Sequence, residues 1–406
     1  MNDTSECMQA EPGPPPRRPA MTDAVVVGAG PAGIATALAL QARGLRVVVA
    51  ERRLRGTRGT PGETLPGRVR SALAALGLAD VLDNDACTTI HTHRSRWGGA
   101  LREHVLDSAP HAHAWQIDRE QFDDLLRSRA AELGIDLRLG MRCTSVVAET
   151  GGWRVTLDQD RGRSSLRTGF VVDATGRSAF VARRLGAQRE RCDRSVALVA
   201  GILGPAAHRG ATLVDVCPTG WWSATTLPSH DVALNFITDA ALIPPTAAAR
   251  ATALLDHLAS APLVERYLAG CGAPAWLRVV SAAPALTTPL VGDGWLATGD
   301  AAAAHDPLAF SGVTSALEHG TAAAAAITAW LGGDLLALAR HRADIEAEFH
   351  AHLHTRRAYY AVPGLSRFPF WRERALSSAP APLRAQSAPW WPIATPTVQL
   401  AAAPQS

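Results

Sequence analysis

Gly28, Gly30 and Gly33 stand at G-x-G-x-x-G spacing, and Glu51 closes the next apolar run. In that pattern Gly28 permits a tight turn, Gly30 lets backbone approach a pyrophosphate, and Gly33 lets helix and strand pack closely. A helix beginning there offers free N–H groups and partial positive charge to the phosphates. A carboxylate at Glu51 accepts from ribose hydroxyls, which argues against a 2′-phosphate on the bound dinucleotide. Two further stretches carry similar chemistry: Asp173-Ala174-Thr175-Gly176, and Gly299-Asp300 running through Asp306-Pro307 to Gly312. Asp300 is suited to accept from a polyol chain, and Pro307 restricts Asp306 to a turn. Gly312 opens a helix whose positive end points at whatever lies in the cleft. His305, beside these residues, is a candidate proton donor or substrate contact because imidazole titrates near neutral pH; a hydrogen-bonded structural histidine is an equal reading.

The elements that must hold these residues follow from pattern. Ala24–Val27 and Leu45–Ala50 are apolar β runs flanking an Ala/Leu-rich helix at Ile34–Arg43, with Gly44 as its stop. PGETLPG at Pro61–Gly67 is a shaped loop, with Glu63-Thr64 leaning over the ligand or capping the next helix. Arg68–Leu78 reads as a helix with Val69, Leu73 and Leu76 on one face, and a second amphipathic helix runs from Phe122 to about Leu133. Strands follow at Gly134–Leu139, Ser145–Val147, Trp153–Leu157, Leu166–Arg167 and Phe170–Asp173. The last of these puts Asp173 at the carboxyl edge of a parallel sheet, where such sheets bind ligands.

From Ser195 the character changes. Ser195–Ile202, Ala211–Val216, Trp221–Thr226 and Val232–Thr238 form an antiparallel meander, read as a wall over the ligand. Trp97 and Trp222 are candidate wall residues, and alternation turns one of Trp221 and Trp222 inward. Helices are expected at Thr246–Leu258, Leu263–Ala269, Val313–Leu331 and Ala339–Arg357. The Pro-rich end carries Phe368, Phe370, Trp371, Trp390 and Trp391, and either closes the pocket or docks a protein partner.

Composition excludes several classes. With 47% apolar and 19% charged residues the chain is globular, and 406 residues imply two or three domains or one discontinuous domain. A net charge of +3 does not imply nucleic acid. The six cysteines include no C-x-x-C pair, so no metal site or disulfide framework is expected and the cytoplasm is the default compartment. His91 and His93 share a strand face but lack further ligands close by. No run of about 20 apolar residues suggests a membrane span. The leader Met1–Ala20 lacks the apolar centre of a secretory signal and is expected to be disordered, with Met21 as the functional start. Apart from histidine, all 40 basic side chains are arginine, so no lysine is present to act as an ammonium or Schiff base.

Together the three glycine-and-acid motifs resemble the FAD-dependent hydroxylase fold, shared with tryptophan halogenases and geranylgeranyl reductases. The resemblance implies an α/β (α+β) chain, with a Rossmann-type FAD-binding domain, an antiparallel-sheet substrate domain and a C-terminal helical tail. The expected boundaries are a leader 1–20, FAD-binding segments 21–190 and 285–345, a substrate domain 191–284 joined by an interleaved segment at about 90–117, and a tail 346–406. PGETLPG, SRWGG, the DR…FD pair, GWWSATTLP…NFITD and YY…FPFWRER are, more closely, similar to flavoproteins that mature tryptophan-derived quinone cofactors by acting on a tryptophan side chain within a protein or peptide. The chain departs from that group at Ala309-Phe310-Ser311 and in a shorter segment before Phe368.

What the resemblance implies for function is hydroxylation of an electron-rich aromatic ring with O2, through a flavin hydroperoxide; the hard chemistry belongs to the cofactor. The implied FAD-binding set is Gly28, Gly30, Pro31, Ala32, Gly33, Glu51, Arg52, Arg119, Gly299, Asp300, Pro307 and Gly312. His305 and Glu63 are the candidate catalytic groups, and Trp97, Trp222 and Phe310 the candidate substrate contacts. No second G-x-G-x-x-G is visible, so NAD(P)H visits transiently or a partner reductase supplies electrons. The substrate is an aromatic small molecule, peptide or protein. Flavin halogenases use a lysine and a W-x-W-x-I-P stretch that this chain lacks, so halogenation is disfavoured. The alternatives are a flavin-dependent reductase or desaturase of a small or isoprenoid substrate, and a non-catalytic flavoprotein that chaperones a partner.

Overall fold

The computed structural model describes residues 21–55, 62–105, 114–159, 162–204 and 210–376. The leader, Pro61, and Trp390 and Trp391 of the tail lie outside these residues.

The first apolar run forms the strand Thr22–Val27, followed by helix α1, Pro31–Gln41, and the strand Val47–Glu51. Pro31 to Leu40 are buried all round the helix, because α1 lies between the sheet and a second Ala-rich helix and leaves no solvent face. The sheet is parallel at its centre, in the order Trp295–Ala297, Gly162–Asp173, Thr22–Val27, Val47–Glu51, Asp136–Leu139. Leu166–Arg167 and Phe170–Asp173, expected as separate strands, are one strand. It leaves an antiparallel hairpin with Gly152–Gln159 and runs on into the parallel sheet.

Register decides what this sheet positions. Val27 pairs with Asp173 and Ala50, and Asp173 with Ala297. The three motif turns therefore leave neighbouring strands at the same level and on the same carboxyl edge.

Helix α2, Val69–Ala74, buries Val69 and Leu73 in the same core. Helix α3, Arg119–Glu132, is capped by Asp118, which accepts from the Gln121 N–H at 3.1 Å. A short helix α4, Phe180–Arg184, follows the Asp173 turn. The PGETLPG stretch supplies the three-residue strand Glu63–Leu65, paired with Ala114–Ile117, which in turn pairs with Cys87–Ile90.

Among the described residues the second large sheet has seven strands, in the order Pro274–Ser281, Ser195–Ile202, Val232–Asp239, Gly220–Thr226, Ala211–Cys217, Thr92–Arg96, Arg102–Val105. The four strands of the meander are present. Pro274–Ser281 was not anticipated: its burial alternates irregularly at the sheet edge, and its sequence opens with a proline. Helices α5, Ala247–Leu258, and α6, Pro262–Tyr267, cover one face through Leu254, Val264 and Tyr267. The other face packs on aromatic residues of two later helices, Ala337–Tyr360 and Pro369–Leu376.

Helix α7, Gly312–Leu331, lies against α1. A Cβ on Gly320 would fall 2.5 Å from the Ala32 carbonyl oxygen, so only glycine permits that approach. Helix α8, Ala337–Tyr360, and helix α9, Pro369–Leu376, are the last elements of the described residues, with Phe370 and Trp371 buried. Among the described residues no helix is long and apolar enough to cross a membrane.

Candidate functional site

The glycine turn is shaped from both sides. Gly28 sits at φ +107°, and a Cβ there would lie 2.3 Å from the Ala174 carbonyl oxygen. A Cβ on Gly33 would meet the Gly28 oxygen at 1.9 Å, so this glycine joins helix to strand without a side chain between them. Gly30 differs: its Cβ position faces open space, and no side chain caps α1, whose N-terminus it opens. The free helix end and the clear approach beside it fit the pyrophosphate of a dinucleotide. Pro31 and Ala32 form the buried first turn of α1.

Glu51 is buried, with Oε2 accepting from the Ala29 N–H at 3.0 Å and Oε1 from the Arg53 N–H at 2.9 Å. A carboxylate has about four lone-pair positions, so two bonds leave capacity for a ribose hydroxyl. Arg127 of α3 donates from Nε to the Ala29 carbonyl at 3.0 Å and fixes the other side of the turn. Nothing in the sequence pattern singles out Arg127, because its partner is a backbone atom of a distant segment. Arg52 is exposed next to Glu51.

Asp173 serves its own turn. Its Oδ1 accepts from the N–H and hydroxyl of Thr175 at 2.9 and 2.7 Å, and Oδ2 from the Ala182 N–H at 2.8 Å. In the third turn Gly299 has φ +56°, and a Cβ there would come within 2.7 Å of the Ala32 Cβ. The Gly-Asp turn therefore touches the first turn of α1. Two arginines absent from the sequence-based set support it. Arg177 forms an ion pair with Asp300 at 3.3 Å and donates to the carbonyls of Ala283 and His305 at 2.9 and 3.1 Å. Arg189 donates to the Asp300 carbonyl at 2.8 Å, and burial lowers its pKa to about 10.

Beyond the turn, Asp306 is buried and caps Leu308, whose N–H donates to its Oδ1 at 3.0 Å. Its Oδ2 accepts from Arg356 Nε at 2.6 Å and from the Tyr360 hydroxyl at 3.1 Å. Arg356 also pairs with Asp193, and Arg374 with Asp193 and Asp239. A chain of buried charges thus runs from the Asp306-Pro307 turn through α8 and α9 to the second sheet.

The structure moves several candidates. His305, expected as a proton donor or a structural histidine, packs against α8. Its ring stacks on His352 at 4.5 Å and lies 6.2 Å from Phe349, both on α8, and burial, with His352 beside it, lowers its pKa well below the ordinary value. The chain turns after Ala303–Ala304 and sends this side chain under α8. Trp222 is fully buried on the α5–α6 face, stacked on Phe236 at 4.3 Å, so it is no substrate contact. Strand alternation gives the opposite face to Trp221, which donates from Nε1 to the Tyr360 hydroxyl at 2.9 Å. Trp97 and Phe310 do meet on that face, 6.1 and 6.3 Å from the Trp221 ring, and both remain part-exposed. Trp97 donates to the Tyr359 carbonyl at 2.8 Å, and Phe310 holds a left-handed φ of +46°.

Arg119 is turned to carboxylates: it pairs with Glu63 and, at 3.3 Å, with Asp123. Glu63 also accepts from the Val313 N–H at 3.3 Å, at the start of α7. Pro307 begins a short 3-10 turn and Gly312 the helix itself. Among the described residues no group of three or more His, Cys, Asp or Glu is placed to hold a metal ion.

Comparison with known proteins agrees with this geometry. Residues 21–215 match the family described as FAD binding domain. LodB of Marinomonas mediterranea, which bears the name putative FAD-dependent oxidoreductase, is 25% identical over 365 residues, which is 88% of this chain and 98% of that protein. The solved structure of QhpG, a peptidyl tryptophan dihydroxylase essential for tryptophylquinone cofactor biogenesis, superposes with a TM-score of 0.75 at 28% identity, covering 90% of this chain and 81% of that one. CmlS, a flavin-dependent halogenase, shares the fold with a TM-score of 0.79 at 22% identity, covering 89% and 69%.

Proposed function

We propose that this chain, which belongs to the FAD-dependent oxidoreductases, is a monooxygenase that hydroxylates an electron-rich aromatic ring, with the tryptophan side chain of a peptide or protein as substrate. The observation that carries the reading is that part-exposed Trp97 and Phe310 both pack on Trp221, a residue of the second large sheet, beside an FAD-binding fold with no lysine in the chain. The likeness to a peptidyl tryptophan dihydroxylase supports the substrate class.

FAD, when bound, supplies the activation of O2. The chain's own residues would do the rest. The open end of α1 at Gly30 would bind the pyrophosphate, Glu51 the ribose, and the Gly299-Asp300 turn the polyol chain. Trp97 and Phe310 would orient the substrate ring by edge contacts and keep water from it. Arg356 and Tyr360 hold Asp306, and through it the turn that presents Pro307 and Phe310. Electrons would come from NAD(P)H in transit or from a partner reductase.

The absence of lysine weighs against halogenation, since an ammonium is the group that halogenases of this fold use. Aerobic incubation of FAD-loaded protein with a reductase and a tryptophan-containing peptide, with halide present, tests the choice. Oxygen added at tryptophan in the mass spectrum is expected. Halogen at that residue would overturn the reading, as would substrate-dependent reoxidation of the flavin without O2.

A further inference from the structure

Helices α1 and α7 pack against each other, and their N-termini are treated differently. The first, α1, has no side-chain cap. The second, α7, has none from its own flank either, since Ser311 makes no capping bond. Yet its Val313 N–H donates to Glu63, a residue 250 positions earlier in the chain. The Glu63 Oε1 lies 3.1 Å from where a Cβ on Gly312 would stand, so the carboxylate fills the very mouth of the helix and a side chain there would displace it.

This mouth belongs to the flavin site by geometry. Gly299 brings the Gly-Asp turn against Ala32 in the first turn of α1, and the same Cβ position is 3.6 Å from Ala316, one turn into α7. The charge there is organised by α3. Arg119 pairs with Glu63 and Asp123, while Arg127, two turns later on the same helix, holds the Ala29 carbonyl of the glycine turn. One helix therefore ties the dinucleotide turn to the carboxylate at α7.

We propose that Glu63 is a positioning residue that sets the electron affinity of the bound flavin, by placing a negative charge on the N-terminus of α7, which would otherwise favour an anion. The proposal rests on the reading of this site as an FAD site. A helix N-terminus attracts negative charge, and reduced flavin carries it. A carboxylate already there opposes the build-up of that charge and makes the flavin harder to reduce. Arg119, by neutralising part of Glu63, limits the effect.

The test is a redox titration of the FAD-loaded protein against a reference dye, with FAD affinity measured in parallel. Glu63→Gln keeps an oxygen acceptor for the Val313 N–H and removes the charge. At the wild-type midpoint, its ratio of reduced to oxidised flavin should be about tenfold higher, which for a two-electron couple is about 30 mV. Glu63→Asp keeps the charge and should titrate within about threefold of wild type by the same relation. Both should retain FAD. A Glu63→Gln protein that binds FAD normally and titrates at the wild-type midpoint would overturn the proposal. Should Glu63→Gln and Glu63→Asp shift together, position rather than charge is what matters, and the proposal likewise falls. Wild-type protein that binds no FAD would instead refute the site assignment.

Discussion

The candidate site is supported from two sides by different means. On the α1 side the support is backbone: glycines that admit no Cβ, helix ends and N–H groups. On the α8 side it is ionisable side chains: Arg356 between Asp306 and Asp193, Arg374 between Asp193 and Asp239, and His305, His341 and His352, which burial keeps neutral. The first kind of support depends on space and is indifferent to pH. The second tolerates small changes in shape and fails when a charge is removed or a proton is added.

Single substitutions separate the two. Gly33→Val should have the largest effect, because its side chain would start 1.9 Å from the Gly28 oxygen and force α1 from the sheet. Loss of retained flavin and destabilisation by about 3 kcal/mol or more are expected, read from flavin absorbance and chemical unfolding. Arg356→Met comes next. It leaves Asp306 and Asp193 without their shared cation in the interior, at a cost of about 3–5 kcal/mol in the same unfolding assay. A loss below about 1 kcal/mol would mean the network is wetter than its burial indicates.

Acid should distinguish the sides without mutation. Burial lowers the pKa of His352 to about 3 and of His341 to about 4, and His305 is lowered well below its ordinary value. In the unfolded chain each returns to about 6.5, so there the unfolded state binds more protons. Stability is therefore full above 6.5 and lost as pH falls toward the folded values, on the order of 1 kcal/mol per pH unit for each histidine. Glu348 adds to the loss only below its ordinary 4.5: burial would raise it, but the hydrogen bond with His319 and the positive charge around it together outweigh burial and hold it at about 2. Thermal melts at pH 7 and pH 5 thus isolate the histidines, and equal melting temperatures would show that they are not kept neutral. The smallest effect belongs to Gly30→Ala. Its methyl meets no protein atom, so the melting temperature should hold while FAD affinity falls about tenfold, equivalent to about 1.4 kcal/mol. Unchanged affinity would remove Gly30 from the pyrophosphate contact.

The same division explains what could be seen in the sequence. Gly28, Gly33, Asp173 and Gly299 act on neighbours in the chain or on the adjacent strand, so spacing reveals them. The meander and α7 were legible for the same reason, since periodicity is local. The Glu63 bond to Val313, Arg127 on Ala29, Arg177 on Asp300 and the Arg356 network join segments far apart in sequence. No spacing rule marks such pairs, and an arginine-only basic complement makes each look like ordinary surface charge. At a finer level Trp222 was legible only as one of two adjacent tryptophans facing opposite ways, and His305 only as a proton donor or a structural histidine. Both lie on segments that reach the site, but their side chains point to the other face. For adjacent residues such as Trp221 and Trp222, a single step in register exchanges wall for core.

The most direct test of the account supplies the FAD-loaded, reduced protein with a tryptophan-containing peptide under isotopically heavy dioxygen. Heavy oxygen on the tryptophan ring, with none in a control peptide whose tryptophan is replaced by leucine, is the predicted result. Consumption of the dioxygen with the peptide unlabelled, all of the heavy atom emerging as hydrogen peroxide or water, would contradict it.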